Sequence, residues 1–390
     1  MTVAVDRDQA FLAAIRRIAA EVAAPNADDV DKNARFPQES IDALKAERAL
    51  SALIPRELGG EGLAFETVAQ ACFELGRRCG ASAMVFAMHS IMVAAIVRHG
   101  AGTPWFDEYL RRVAKEQRLV ASVTSEVGTG GDLGRSIAAV TPTEAGRARF
   151  EKQAPTVSYG AYADDLMTTL RRSPDAEPGD QVAVVTSRDE HALEQTATWD
   201  PLGMRGTCSP GYIVRAEFDT NQVMPGSLSR VLTESMVPIS HLLWSHLWLG
   251  IATDAFDRAR AFVKASAKGR PDQLPPTAIR LSQLMSELSL LRAEVSSALR
   301  DFVEQDATDR DDLSTMASVL RFNNLKIAAS EQAPRICQGA MSVCGIVGFK
   351  NDTPFSVGRH LRDTMSASLM VANDRIHATN AGLLLIAKDV

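Results

Sequence analysis

Beyond Met224-Pro225-Gly226, apolar residues recur at helical spacing over four long stretches, about 237–267, 276–304, 312–345 and 357–388, the first carried through Ser240-His241. Helices of about 28 residues would be about 42 Å long at 1.5 Å per residue. Their apolar stripes demand partners, so the segment predicts a C-terminal four-helix bundle, and exposed apolar positions on such bundles commonly become oligomer interfaces.

Upstream the period changes. Leu119–Thr124 is short, apolar and β-prone, and candidate strands follow at 137–140, 165–169, 181–186 and 212–218. Turn formers such as Ser173-Pro174-Asp175 and Glu177-Pro178-Gly179 separate them, which predicts a small sandwich or barrel. Before this region Phe11, Leu12, Ile15, Ile18 and Val22 mark a helix from Gln9 to about Val22, and Pro37 starts a second. After a break at Leu58-Gly59-Gly60-Glu61-Gly62, residues 65–79 and 81–99 read as two more helices. The latter is apolar almost all round and belongs in a core or subunit interface. The expected protein is mainly α with a central β domain, in three units: 1–118, 119–234 and 235–390.

A net charge of −6 leaves no broad basic field for nucleic acid, although a local arginine cluster could meet an anionic small molecule. Cys72, Cys79, Cys208, Cys337 and Cys344 are odd in number and lack close spacing, so neither a disulfide framework nor a metal site is expected and a reducing cytoplasm fits. No apolar run reaches the roughly 18 residues of a membrane span, and the opening Asp6-Arg7-Asp8 is unlike a signal peptide.

Four stretches carry the chemistry. Ile54-Pro55-Arg56-Glu57-Leu58-Gly59-Gly60-Glu61-Gly62 is a glycine-rich turn between early helices. Ser122-Val123-Thr124-Ser125-Glu126-Val127-Gly128-Thr129-Gly130-Gly131-Asp132 runs from a strand end into a loop whose glycines let main-chain amides approach a diphosphate. Trp199-Asp200-Pro201-Leu202-Gly203-Met204-Arg205-Gly206-Thr207-Cys208-Ser209 is a turn in the β region. Last, Ala340-Met341-Ser342-Val343-Cys344-Gly345-Ile346-Val347-Gly348-Phe349 leads to Arg359-His360-Leu361-Arg362-Asp363.

In this order the four resemble the acyl-CoA dehydrogenase superfamily, with its patterns P-x-x-x-G-G-x-G, T-E-P-G-x-G-S-D, G-M-R-x-T-x-S and Q-x-x-G-G-x-G-Y followed by R-x-x-R-D. The resemblance implies FAD held by Val123, Thr124, Ser125, Gly130 and Gly131. Thr156, Val157 and Ser158 stand where the family has W-I-T over the flavin. Ser342 and Gly345 fall where a neighbouring subunit contacts the adenylate half. Arg205 is either a structural anchor or a group near cofactor or substrate. Val127 replaces the family proline, Gly131 a serine, Ser342 a glutamine and Ile346 the second glycine. Lys268-Gly269-Arg270-Pro271 does not reproduce the family's R-x-x-F-G turn.

The resemblance further implies α,β-desaturation of an acyl-CoA or acyl-carrier thioester. A carboxylate removes the α-proton while hydride passes to flavin N5. Electron-transfer flavoprotein or another acceptor would collect the electrons, and the chain would form a homotetramer or another homo- or hetero-oligomer. The family's base is a glutamate shortly after R-D, yet a gapless count from Arg362-Asp363 lands on Val371. Asp374 is the nearest carboxylate and the expected base, as relatives such as nitroalkane oxidase use an aspartate. Asp254 and Asp257, on the first bundle helix, stand where isovaleryl-type relatives place theirs. Two other readings remain open. One is a reduced-flavin-dependent monooxygenase of the same fold, in which histidines assist oxygen activation; His89, His99, His360 and His377 are the histidines weighed, the first two also reading as core residues. The other is a silent subunit of a hetero-oligomer.

Overall fold

The computed structural model describes residues 2–144, 146–268 and 274–386. Helix α1 (Thr2–Ile18) passes through one π turn into α2 (Ala24–Lys32), so the first helical run is longer than the Gln9–Val22 pattern indicated. Helices α3 (Gln38–Ala46), α4 (Phe65–Gly76), α5 (Gly80–His99) and α6 (Pro104–Glu116) follow. The sequence reading omitted α6, although Pro104 at its first turn and the buried stripe Phe106, Tyr109, Leu110 and Val113 are helical features. Helix α5 is long and apolar enough to cross a bilayer, but 89% of its most apolar window is buried inside the protein. Among the described residues no cluster of histidine, cysteine or acidic groups is arranged to hold a metal.

Seven strands form two sheets. In the first, β1 (Val120–Val123) lies parallel to β4 (Asp165–Arg171), which pairs antiparallel with β5 (Gln181–Ser187). In the second, antiparallel throughout, the order is β2 (Thr141–Pro142), β3 (Arg147–Ala154), β7 (Tyr212–Asp219), β6 (His191–Gln195). Both sheets join one apolar core with the helices. The expected strand at 137–140 is reduced to a single bridge between Ala139 and Arg171. Strand β3 escaped notice because its outward residues Arg149, Glu151 and Gln153 are polar and one inward residue is Lys152, so little apolar alternation is left.

A short α7 (Leu228–Val231) leads through a π turn into α8 (Val237–Ala267), followed by α9 (Pro276–Thr308), α10 (Met316–Cys344) and α11 (Ile346–Phe349). Helix α8 is buried without a break from Pro238 to Phe256. It meets α4 at two glycines: a Cβ on Gly76 would stand 2.5 Å from the Leu247 carbonyl oxygen, and one on Gly250 2.3 Å from that of Phe73. The N-terminal helices and the bundle therefore share one closely packed crossing.

The fourth long helix expected at 357–388 is two helices, α12 (Gly358–Met365) and α13 (Asn373–Ile386); positions 387 and 388 lie outside the described residues. Between them Val371 takes a left-handed φ of 47°. The buried Lys326 of α10 explains the break. Its Nζ donates to the Val371 carbonyl at 3.3 Å and to Asn373 Oδ1 at 2.6 Å, removing that carbonyl from any helical ladder.

Candidate active site

A cavity of about 1030 Å³ opens where the end of β1, the glycine loop, the 199–209 turn, α5, α8, α10 and the 362–379 segment meet. One side is hydroxylated: Ser122, Thr124, Thr156, Ser158, Thr207 and Ser209 all line it. Thr207 and Ser209 share a hydrogen bond of 2.9 Å, and Ser209 donates to Ser158 at 2.9 Å, forming a short hydroxyl chain. The opposite side is apolar and soft, with Met84, Met88 and Met92 stacked one turn apart on α5 and facing Trp244 and Phe322.

The glycine loop is pinned from beneath. Glu126, 6% exposed, accepts from Ser136 Oγ at 2.7 Å and from the Ala138 amide at 2.6 Å. Its carboxylate also lies 3.4 Å from Nζ of Lys152, which donates to the Thr169 carbonyl at 2.6 Å. Burial lowers the Lys152 ammonium to about 8, against the pull of Glu126. The loop above this pair is free to turn as it does because Gly128, Gly130 and Gly131 carry φ values of 91°, 61° and 84°, a region that disfavours side chains. Arg375, from α13, reaches across and donates to the Gly130 carbonyl.

Of the residues expected to hold the cofactor, Thr124, Gly131, Thr156 and Ser158 line the cavity. Ser125 donates to the Thr156 carbonyl at 2.6 Å and so ties the two strand ends together. Gly130 offers its carbonyl to Arg375. Val123 and Val157 are fully buried core residues whose contribution is limited to the backbone. Ser342 and Gly345 sit at the exposed C-terminal end of α10, away from the cavity wall, with Ser342 Oγ bonded to the Gln338 carbonyl at 3.0 Å.

The 199–209 turn locks the β domain to the bundle. A Cβ on Gly203 would stand 2.1 Å from the Arg362 carbonyl oxygen, and the Met204 amide donates to Asp363 Oδ1 at 2.7 Å. Arg205 donates to the carbonyls of Asp31 and Pro201, each at 2.8 Å, and does not line the cavity, so of its two readings the structure places it as an anchor. Burial raises the Asp363 carboxyl to about 6, with Arg359 opposing. A raised carboxylate pKa means that the folded state keeps a proton the unfolded chain has released, so this contribution is full below about pH 4 and lost as pH rises through 6. Asp363→Asn keeps an acceptor for Met204 and removes the charge. Its stability relative to wild type is expected to rise by about 2 kcal/mol between pH 4 and 7, read by urea unfolding at both pH values. A constant difference would contradict it.

The proposed bases fall elsewhere. Asp374 occupies the exposed first turn of α13 and is absent from the cavity wall, whose register is taken by Val371 and Arg375. Asp254 is 5% exposed and accepts from Arg258 at 2.8 Å, Arg78 at 3.3 Å and His360 at 2.8 Å. Burial alone would raise its carboxyl, but His360 and Arg258 hold it far below the usual range. Asp257 pairs with Arg77 at 3.0 Å, also outside the cavity. His89 is a core residue: its Nδ1 accepts from the Val120 amide and its Nε2 donates to the Leu50 carbonyl, while burial lowers it to about 4. His99 meets Ser235 at 2.8 Å, and His377 is exposed.

Sequence reasoning missed His241, Trp244 and Asn323 as site residues, all on the cavity wall.

Residues 6–117 match the family described as Acyl-CoA dehydrogenase, N-terminal domain. The chain is 22% identical over 378 residues to cyclohex-1-ene-1-carbonyl-CoA dehydrogenase of Syntrophus aciditrophicus (strain SB), covering 95% of this chain and 88% of that one. It is 24% identical over 388 residues to the probable FMNH2-dependent monooxygenase SfnC of Pseudomonas putida, covering 94% and 92%. Among solved structures it superposes on FMN-bound TdsC, a dibenzothiophene monooxygenase of Paenibacillus sp. A11-2, with a TM-score of 0.82, 19% identity and coverage of 96% and 97%.

Proposed function

We propose that this chain, which belongs to the acyl-CoA dehydrogenase superfamily, is a flavin-dependent oxidoreductase that uses reduced flavin and dioxygen to oxygenate an apolar substrate. One observation carries this reading. Among the described residues lining the cavity Asp132 is the sole carboxylate, and its Oδ1 already accepts from the Gly134 amide at 2.8 Å. Abstraction of an α-proton from a thioester requires a positioned base beside the reacting carbon, whereas oxygenation of an apolar substrate does not.

The donor set fits a flavin. The open-angled glycines leave room for a phosphate, and the Arg375 guanidinium standing on Gly130 supplies a cation beside it. Thr124 and Ser158 offer hydroxyls to the polar edge of a ring seated between them and α8. When bound, reduced flavin would supply the two electrons that activate dioxygen. Around that place the α5 methionines, Trp244 and Phe322 exclude water, which protects a reactive oxidant from unproductive decay. In this reading the electron partner is a reductase that delivers reduced flavin, in place of an electron-transfer flavoprotein. Leu290, Ile346, Phe349 and Leu385 are exposed on the bundle, and we assign them to contacts with further copies of the chain.

Desaturation of an acyl thioester is the second reading, supported by full-length similarity to a CoA-ester dehydrogenase. It requires Asp374 to turn from solvent into the cavity. The experiment is a comparison under anaerobic conditions of the purified protein with oxidised FMN or FAD and butyryl-CoA, and with reduced FMN followed by air and an apolar heteroaromatic. Oxygenated product with the second mixture, and no bleaching in the first, is expected. Bleaching of bound flavin by the thioester would overturn the proposal.

A further inference from the structure

Helix α8 brings one titratable side chain, His241, to the apolar side of the cavity. It is 2% exposed, and its Nδ1 lies 3.1 Å from the Phe322 carbonyl of α10. A carbonyl only accepts, so Nδ1 carries the proton and Nε2 is left with a bare lone pair. Among the described residues no donor meets Nε2. Burial, helped by the nearby Lys326 charge, lowers the imidazole to about 3, so it stays neutral under working conditions.

The surroundings are apolar and aromatic. The Trp244 ring centroid lies 6.3 Å from that of His241 at 43°, and Phe322 and Met236 complete the wall. Asn323, the nearest amide along α10, donates to Asn380 at 2.8 Å. The indole nitrogen of Trp244 is buried without a partner and can only donate. The two cationic groups on the wall are engaged elsewhere, Arg362 with Asp31 and Arg375 with the glycine loop. Nε2 is open to the cavity, where a ligand donor would take the place of solvent.

We infer that His241 is a specificity-determining residue, whose Nε2 accepts a hydrogen bond from a single N–H or O–H on an otherwise apolar, neutral ring substrate. The inference rests on the proposed oxygenation in the same cavity and names its substrate class. Anions are disfavoured, because a carboxylate or phenolate would set its own lone pairs against Nε2. A neutral heteroaromatic amine or an un-ionised phenol matches both the shape and the one acceptor.

Indole and benzofuran have nearly the same outline but differ at one atom, a donor N–H against an acceptor oxygen. Equilibrium dialysis of each against the full-length protein with FMN is expected to show indole bound at least about tenfold more tightly, as a site built for a donor rejects its isostere. His241→Phe keeps a ring and removes the acceptor, and should bring the ratio close to one, mainly by weakening indole. His241→Gln places an amide oxygen near the former Nε2 and should restore part of the preference. The inference is overturned if wild-type protein binds the two within twofold, binds neither, or if His241→Phe retains the preference. The wild-type comparison stands even if a variant fails to fold. Flavin uptake, measured in the same samples, separates the two ideas: no uptake sinks the oxygenase reading, whereas uptake without donor preference sinks the role of His241 alone.

Discussion

Glu126→Ala is expected to lower the unfolding free energy by about 3–5 kcal/mol, the cost of breaking a buried ion pair from one side. Lys152 is 1% exposed and would keep only the Thr169 oxygens as partners. The same substitution orphans the Ala138 amide and the Ser136 hydroxyl, releasing the loop between β1 and β2 from the sheet beneath it. Flavin affinity should therefore fall together with stability. The pH dependence identifies the cause. Burial already lowers Lys152 to about 8 with Glu126 opposing, so without Glu126 the ammonium is lowered further. The penalty for holding it charged is then full at low pH and is relieved as pH rises toward the unfolded value of about 10.4. Chemical denaturation at pH 7 and pH 9 should show a deficit that shrinks at the higher pH. A pH-independent deficit would assign the loss to the loop anchors alone. The double variant Glu126→Gln with Lys152→Met, which keeps an acceptor for Ala138 and removes both charges, should recover most of the stability.

This pair also marks the boundary of what the amino-acid sequence made legible. Helices with a wide apolar stripe were readable because 3.6-residue periodicity survives in any context, and α4, α5, α8 and α9 lie close to where the pattern put them. Strands β4 and β5, buried on both faces, were readable as apolar runs. Apart from α6, what failed depends on a distant partner. Strand β3 holds a lysine toward the core because Glu126, 26 residues away in the chain, is there to meet it. The break between α12 and α13 follows from Lys326 on another helix, and no local breaker announces it. The same limit applied to the site. The glycine loop and its hydroxyls were legible as a motif, and Thr124, Gly131, Thr156 and Ser158 do line the cavity. His241 was not singled out, since a histidine inside a long apolar helix carries no local mark that separates a satisfied core residue from a group facing a ligand. His89 and His241 are both buried and both lowered by burial, but His89 has a partner at each nitrogen, whereas His241 has one and lines the cavity.

Asp254→Ala is expected to cost about 2–3 kcal/mol, although the sequence offers position 254 only as a candidate base on the first bundle helix. The side chain is instead the shared acceptor of Arg78, Arg258 and His360, joining the N-terminal helices, α8 and α12. The two arginines are partly exposed, at 39% and 30%, so water would recover much of their hydration after the change. His360 would not recover, since it is buried and its Nδ1 already has no partner. Burial lowers the imidazole to about 4 even with Asp254 beside it, and removing the carboxylate removes the group that raises it. The loss should therefore persist at neutral pH as an unmet Nε2–H and reach α12, which carries Arg362 and Asp363 against the 199–209 turn. Asp254→Asn keeps one acceptor for His360 and should cost less than alanine. If Asp254 were a catalytic base rather than a junction, Asn would abolish turnover while leaving thermal unfolding unchanged. The buried network calls for the reverse, a lowered midpoint in both variants with turnover following the folded fraction.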